Sequence, residues 1–178
     1  MKIFISGSMA IKKIDAQVTE RMDHIMRSEF SILLGDANGV DASIQRELHV
    51  KRYRNVAIYC SGDRARNNIG GWHVEKIMTG QTKNRREFFT AKDIQMAKDC
   101  DYGLMIWDSK SVGTLSNVYE LVSRGKKSRV FVNKQKIFVT VADSDGFQRL
   151  ISMMAPDSFE KADKKIQLKK KLEGLKCK

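Results

Sequence analysis

Apolar residues run almost without a break through Lys2 to Ser6, Phe30 to Leu34, Val56 to Cys60, Tyr102 to Trp107 and Arg129 to Asn133. Short runs of this kind, rich in Ile, Leu, Val and Phe, predict strands buried on both faces. Between them the period changes. Ile14, Val18, Met22, Ile25 and Met26 recur every three or four residues and predict a helix over Ile14 to Ser28 with one apolar stripe. Further helices are predicted after Asp41 to about Arg52, over Thr90 to Asp99, and over Leu115 to Ser123, where Gly125 suits a helix end. Strands alternating with helices make crossover units, so the predicted class is α/β with a doubly wound, mostly parallel sheet of five strands. Ile137 to Val141 reads as a short edge strand beside it.

Two stretches break the alternation. Ser61 to Glu87 has no convincing period and contains Gly62, Gly70, Gly71 and Gly80. It exceeds the roughly 12 to 15 residues beyond which structureless connections become uncommon, and reads as a long loop after the third strand, a lid or a binding element. Beyond Pro156 a lysine-heavy helix is predicted, with Phe159, Ala162, Ile166 and Leu168 on its apolar side. The expected organisation is one domain over 1–156 and a basic helical tail over 157–178.

Charge changes the picture more than bulk composition does. Thirty-three Lys and Arg stand against 21 Asp and Glu, a net charge of +12 that favours polyanions or phosphorylated ligands. From Glu160 to Lys178, eight lysines face three carboxylates, so five of the excess charges sit in the tail. A hydrophobic share of 42% with one Pro excludes collagen-like and disordered classes. No apolar run approaches the roughly 20 residues of a membrane helix, and Met1 to Ile5 enters a strand without a secretory leader pattern. Cys60, Cys100 and Cys177 are odd in number and form no CxxC, which argues against a disulfide framework and a zinc site. A cytoplasmic protein without metal or cofactor is expected.

In an open parallel sheet, ligands bind beyond the carboxyl ends of the strands, where the strand order reverses. Three loops that follow strands carry suitable residues. Ser6-Gly7-Ser8 is small and rich in donors, able to bring backbone N–H groups close to a phosphate. Gly35-Asp36-Ala37-Asn38-Gly39-Val40-Asp41 combines a turn-forming Asn38-Gly39 with a carboxylate in the first helical turn. Asp108-Ser109-Lys110-Ser111-Val112-Gly113-Thr114 is again small and polar and opens a helix.

Together with Ala97-Lys98-Asp99-Cys100-Asp101-Tyr102 leading into a strand, these motifs resemble the SLOG group of Rossmann-like nucleotide-binding proteins over roughly residues 1 to 135. That group includes the lonely-guy phosphoribohydrolases and the DNA-processing protein A fold, and the nucleoside 2-deoxyribosyltransferases are similar in architecture. The resemblance implies a Rossmann-like sheet and a ligand built from base, sugar and phosphate. The implied binding residues are Ser6, Gly7, Ser8, Gly35, Asp36, Asn38, Gly39, Asp41, Ser109, Gly113 and Thr114. It also implies cleavage or transfer at an N-glycosidic bond, through a glutamate three positions after the Gly-Thr pair. Here that position is Asn117. An amide cannot attack as a carboxylate does or balance a developing cation. Asp108 and Glu120 are the candidate substitutes, with Asn117 orienting the sugar.

The long loop adds phosphate donors in Arg64, Arg66, Lys76, Lys83, Arg85 and Arg86, and stacking surfaces in Trp72, His73, Phe88 and Phe89. Arg64, Arg66 and Trp72 are the expected ligand contacts among them. A second reading is a nucleic-acid-binding protein that uses this loop and the lysine-rich tail on phosphates. Members of the resembled group commonly complete their sites across subunits, and the helix carrying Val118, Tyr119, Leu121 and Val122 offers apolar surface, so a homo-oligomer is expected.

Overall fold

The computed structural model describes residues 1–78 and 85–176. In chain order the elements are β1 (Lys2–Gly7), α1 (Ala16–Arg27), β2 (Ser31–Gly35), α2 (Val40–Val50), β3 (Val56–Ser61), β4 (His73–Ile77), α3 (Arg85–Asp99), β5 (Tyr102–Trp107), α4 (Val112–Ser123), β6 (Ser128–Val132), β7 (Ile137–Val141), α5 (Ser144–Ile151), α6 (Pro156–Ile166) and α7 (Leu168–Lys176). The strands form one sheet in the order β4-β3-β2-β1-β5-β6-β7, with only β7 antiparallel to its neighbour. The mostly parallel α/β class expected from the sequence is therefore present, but the sheet has seven strands rather than five. One addition is β7, the edge strand legible in the sequence. The other is β4, which lies inside the stretch expected to be a long loop.

The physical reason β4 escapes the pattern is its position. An edge strand buries little, and His73, Glu75 and Lys76 are exposed, so neither a continuous apolar run nor a full alternation marks it. It pairs with β3 in parallel register from Ala57 against His73 to Ser61 against Ile77. Reaching that register requires residues 62–72 to return from the carboxyl end of β3 to the amino edge of the sheet without a helix.

Alternation along each strand divides the apolar residues between two layers. Ile3, Ile5, Ile32, Leu34 and Ile58 face Val18, Met22 and Ile25 of α1 and Ile44 and Leu48 of α2. Phe4, Leu33, Met105 and Trp107 face Met96 of α3, Leu115, Val118 and Leu121 of α4, and Phe147 and Leu150 of α5. The lysine-rich end forms two helices, α6 and α7, not one. Ala162, Ile166, Leu168 and Leu175 are buried in the second layer. Lysines 161, 164, 169 and 170 stay exposed on the outer side. Val118, Leu121 and Val122 are spent on the same layer, so the helix surface expected to be free for a second copy is covered by the chain itself. No helix among the described residues is long and apolar enough to cross a membrane.

Candidate functional site

The chain leaves β1 toward β2 on one side and leaves β5 toward β6 on the other, so the strand order reverses between β1 and β5. The carboxyl ends of these two strands are joined tightly. Ser8 N donates to the Ile106 carbonyl at 3.0 Å, and Ser8 Oγ donates to Asp108 Oδ2 at 2.7 Å while accepting from Ala10 N at 3.1 Å. The other Asp108 oxygen accepts from Lys110 N at 3.0 Å and Ser111 N at 2.6 Å. With three donors upon it, the Asp108 carboxylate braces two loops. Ser111 caps α4, accepting from Thr114 N at 3.4 Å and Thr114 Oγ1 at 3.0 Å. Gly113 lies on the open side of this turn, where a Cβ would meet nothing within 4 Å.

One turn into α4, Asn117 Nδ2 donates to Ser6 Oγ at 3.1 Å in a buried contact. Asn117 also lines a groove of about 250 Å³ together with Thr90, Asp93, Ser116, Glu120 and Lys165. This groove runs between α3 and α4 and is closed on its far side by α6 and α7. The Glu120 carboxylate that faces it is ion-paired with Arg124, one turn along the same helix.

At the end of β2 the polar groups become a buried charge cluster. Asp36 accepts from Arg66 Nε at 3.0 Å, Arg66 Nη2 at 2.6 Å and Arg66 N at 3.0 Å. Lys92 of α3 is only 4% exposed. Its Nζ donates to Asp93 Oδ1 at 2.7 Å and lies 3.9 Å from Asp36 Oδ1. Asp41 is 3% exposed. Its Oδ2 accepts from Ala37 N at 3.3 Å, and its Oδ1 is buried with no hydrogen-bond partner. Gly35 makes this approach possible: a Cβ there would stand 2.4 Å from Asp41 Oδ2 and 2.6 Å from Lys92 Nζ. Gly39 has φ +76°, and a Cβ on it would strike the backbone of Met9 at 2.4 Å, so the first and second loops touch through a residue that must be glycine.

Burial pushes the Asp41 carboxyl up to about 7, against the pull of the Lys92 charge. For Asp36, burial acts in the same direction, but the Arg66 bonds and the Lys92 charge outweigh it and hold the carboxyl below its ordinary range. Lys92 loses solvation yet is held above its ordinary value by Asp93, Asp41 and Asp36. The cluster therefore keeps a charged ammonium in a buried position, surrounded by three carboxylates.

Lys92 and Asp93 were not among the residues expected from the sequence. A signal was present: Lys92 stands four residues before the fully buried Met96, on the stripe that continues to Cys100. A lysine on a buried helical stripe points to a buried partner.

The 62–72 segment is fastened to this edge and then leaves it. Asn67 Nδ2 donates to the Asp36 carbonyl at 2.8 Å and to Asn38 Oδ1 at 3.1 Å, and Gln45 Oε1 accepts from Ile69 N at 3.0 Å. The Arg66 guanidinium lies 4.7 Å from the Phe89 ring centre, and Phe89 meets Phe88 edge-on at 5.2 Å. Arg66 is thus brought to the edge, though occupied by Asp36, while Arg64 remains at the surface. Trp72, expected as a stacking platform, is placed elsewhere. It immediately precedes β4 at the amino edge, is buried in the α1–α2 layer, and donates Nε1 to the Tyr53 carbonyl at 2.9 Å. Lys83 lies outside the described residues, as do the side chains of Arg85 and Arg86.

Ser6, Gly7, Ser8, Gly35, Asp36, Asn38, Gly39, Asp41, Ser109, Gly113, Thr114 and Asn117 all come from segments that meet at the carboxyl edge. Among the described residues no group of three or more His, Cys, Asp or Glu side chains could hold a metal. Comparison with family models, curated proteins and solved structures found no match. The chain is thus characterised by its own geometry: a mostly parallel α/β sheet with helices on both faces, polar loops braced together at the β1/β5 reversal, and a charge-compensated cluster at the end of β2.

Proposed function

We propose that this carboxyl edge binds a nucleotide or nucleotide-derived small molecule and retains it without cleaving its N-glycosidic bond. The observation that carries the reading is the buried Ser6–Asn117 contact beside the β1/β5 reversal, opening into the groove between α3 and α4. The small turns at Ser6–Ser8 and Gly113–Thr114 suit a phosphate approaching backbone N–H groups. Asn117, with an amide oxygen not taken by Ser6, suits a sugar hydroxyl.

The chemistry of the carboxylates supports retention over turnover. The position that would hold an attacking glutamate in the resembled family is an amide. Asp108 has both oxygens engaged by Ser8, Lys110 and Ser111, and Glu120 is paired with Arg124. A nucleophile needs a lone pair free to approach the anomeric carbon.

Native mass spectrometry of the purified protein tests binding through co-purified nucleotides. Incubation with nucleoside 5′-monophosphates and chromatography for free base tests turnover. The expected result is one bound nucleotide per chain and no released base. Base release that disappears in Glu120→Gln would assign a glycosidase or transferase instead, and absence of nucleotide binding at millimolar concentration would end the reading.

A further inference from the structure

The face of the sheet covered by α1 and α2 is unevenly clothed. After β6 the chain does not cross over into a helix on that face. It turns back as β7 and then enters α5, which joins the opposite layer. Arg129 and Phe131 of β6 and Phe138 and Thr140 of β7 are left beside α1, paired in register as Arg129 against Thr140 and Phe131 against Phe138. The result is a cleft of about 350 Å³ between α1 and the β6–β7 pair, lined by Gln17, Glu20, Arg21, His24, Arg27 and Arg129, with Phe138 at its wall. A second hollow of about 280 Å³ adjoins it, sharing Arg21, His24 and Arg129 and adding Tyr102 and Phe30.

The charges here are not compensated. Three arginines and a histidine line the cleft against one carboxylate, Glu20. Among the described residues, none of Arg21, Arg27 and Arg129 lies within ion-pair distance of any carboxylate. The Arg129 guanidinium rests 5.1 Å from the Phe138 ring centre, and its Nε is buried with no hydrogen-bond partner. An aromatic ring beside the guanidinium favours its place in the cleft, and the guanidinium's fork of donors suits bidentate recognition of an oxyanion. Arg21 and Arg27 are six residues apart on one helix, about 9 Å along its axis, and Arg129 lines the same cleft from β6, so the cationic groups are spread along it.

We propose that this cleft is a second ligand site, separate from the carboxyl edge, for a compact anion bearing at least two phosphate groups. Arg129 receives one phosphate, Arg21 and Arg27 the rest, and Tyr102 offers a face to any planar group attached. The assignment stands whether or not the carboxyl edge binds a nucleotide.

The test is calorimetric titration of the full chain with inorganic tripolyphosphate. One saturable site per chain is expected, weakened about tenfold or more in Arg129→Gln and in Arg27→Gln, in line with the loss of a charge-assisted bidentate contact. Because Arg129 also touches Phe138, the Arg27→Gln variant, altered only on an exposed helix position, is decisive if Arg129→Gln fails to fold. Binding unchanged in Arg27→Gln, or no saturable binding at millimolar concentration, would overturn the proposal. So would a dimer by sedimentation that excludes tripolyphosphate and dissociates in Arg27→Gln, since the occupant would then be a second copy. Oligonucleotide binding that strengthens with length and is not competed by tripolyphosphate would likewise replace it with a nucleic-acid surface.

Discussion

The carboxyl edge and the α1–β6 cleft are both rich in charged side chains, but they dispose of charge in opposite ways. At the edge, Asp36 has Arg66, Lys92 has Asp93, Glu120 has Arg124, and Asp108 has three hydrogen-bond donors. In the cleft, three arginines have no such partner among the described residues. Internal compensation fixes geometry: each group is oriented before any ligand arrives, and binding there should depend on shape and depend little on salt. Uncompensated charge leaves an attraction to be met from outside, and binding there should weaken as salt screens it. The net charge of +12 is therefore a poor guide to where ligands go, because only its unpaired part is free to act.

The largest expected effect comes from breaking the compensation at its buried centre. Lys92→Met would leave Asp36, Asp41 and Asp93 together without their buried cation, at a cost of about 3–5 kcal/mol in unfolding free energy from denaturant titration. The loss should shrink at pH 5, where Asp41 takes up a proton in the folded state. A variant as stable as the parent at pH 8 would show that the cluster is not held by that charge.

Next comes Asp41 itself. Its folded carboxyl titrates near 7 against an ordinary value of 3.8, so between those limits the folded state holds a proton that the unfolded state has released. The stability it contributes is complete at low pH and is lost as pH rises toward 7. Asp36, held below its ordinary range, works in the other sense, and its contribution disappears as pH falls through its lowered value. Asp41→Asn keeps an acceptor for Ala37 N and abolishes the first slope. The variant should be more stable than the parent at pH 8, by on the order of 1–3 kcal/mol, and its midpoint should vary less between pH 4 and 7. An unchanged slope would place the titration elsewhere.

A smaller effect is expected from Arg66→Gln, which removes a bidentate bond whose arginine is partly solvated. About 1–2 kcal/mol of local stability should be lost. Amide hydrogen exchange should quicken at Arg66, Asn67 and Ile69 while β1 and β5 stay protected. The smallest effect belongs to the cleft, where Arg27→Gln should change the unfolding free energy by less than about 0.5 kcal/mol. A large loss there would mean that Arg27 is compensated after all, and the contrast between the two regions would collapse.

Much of this was legible in the chain. The strands with continuous apolar runs, β1, β2, β3, β5 and β6, and the helices with a clear stripe were all apparent, because burial on two faces or on one imposes its period directly on side-chain choice. The edge strand β4 was not, since a half-wet pairing makes weak demands on residues 73–77. The start of α3 lies at Arg85 rather than Thr90, and α5 carried no expectation, its short Ser144–Ile151 span beginning with polar residues and Gly146. At the candidate site, loops that follow strands could be recognised from small and polar composition alone. What could not be read was which charges neutralise one another. Asp36 with Arg66 spans 30 residues and Ser8 with Asp108 spans 100, and such pairings exist only once the sheet order is known. Trp72 was misplaced for the same reason: a parallel β4 carries the chain back to the amino edge before the tryptophan is reached.

The most direct measurement is calorimetric titration with nucleoside 5′-monophosphates of the parent, of Gly113→Trp and of Asn117→Leu. Gly113 has open space where its side chain would be, so a tryptophan there should fold normally while filling the turn proposed for the phosphate. Asn117→Leu removes the amide from the groove while keeping the number and branching of side-chain heavy atoms. Saturable binding in the parent is predicted to be lost in Gly113→Trp and weakened at least tenfold in Asn117→Leu, with tripolyphosphate binding in the cleft unchanged in both. Nucleotide binding that survives both substitutions would contradict a site at the carboxyl edge.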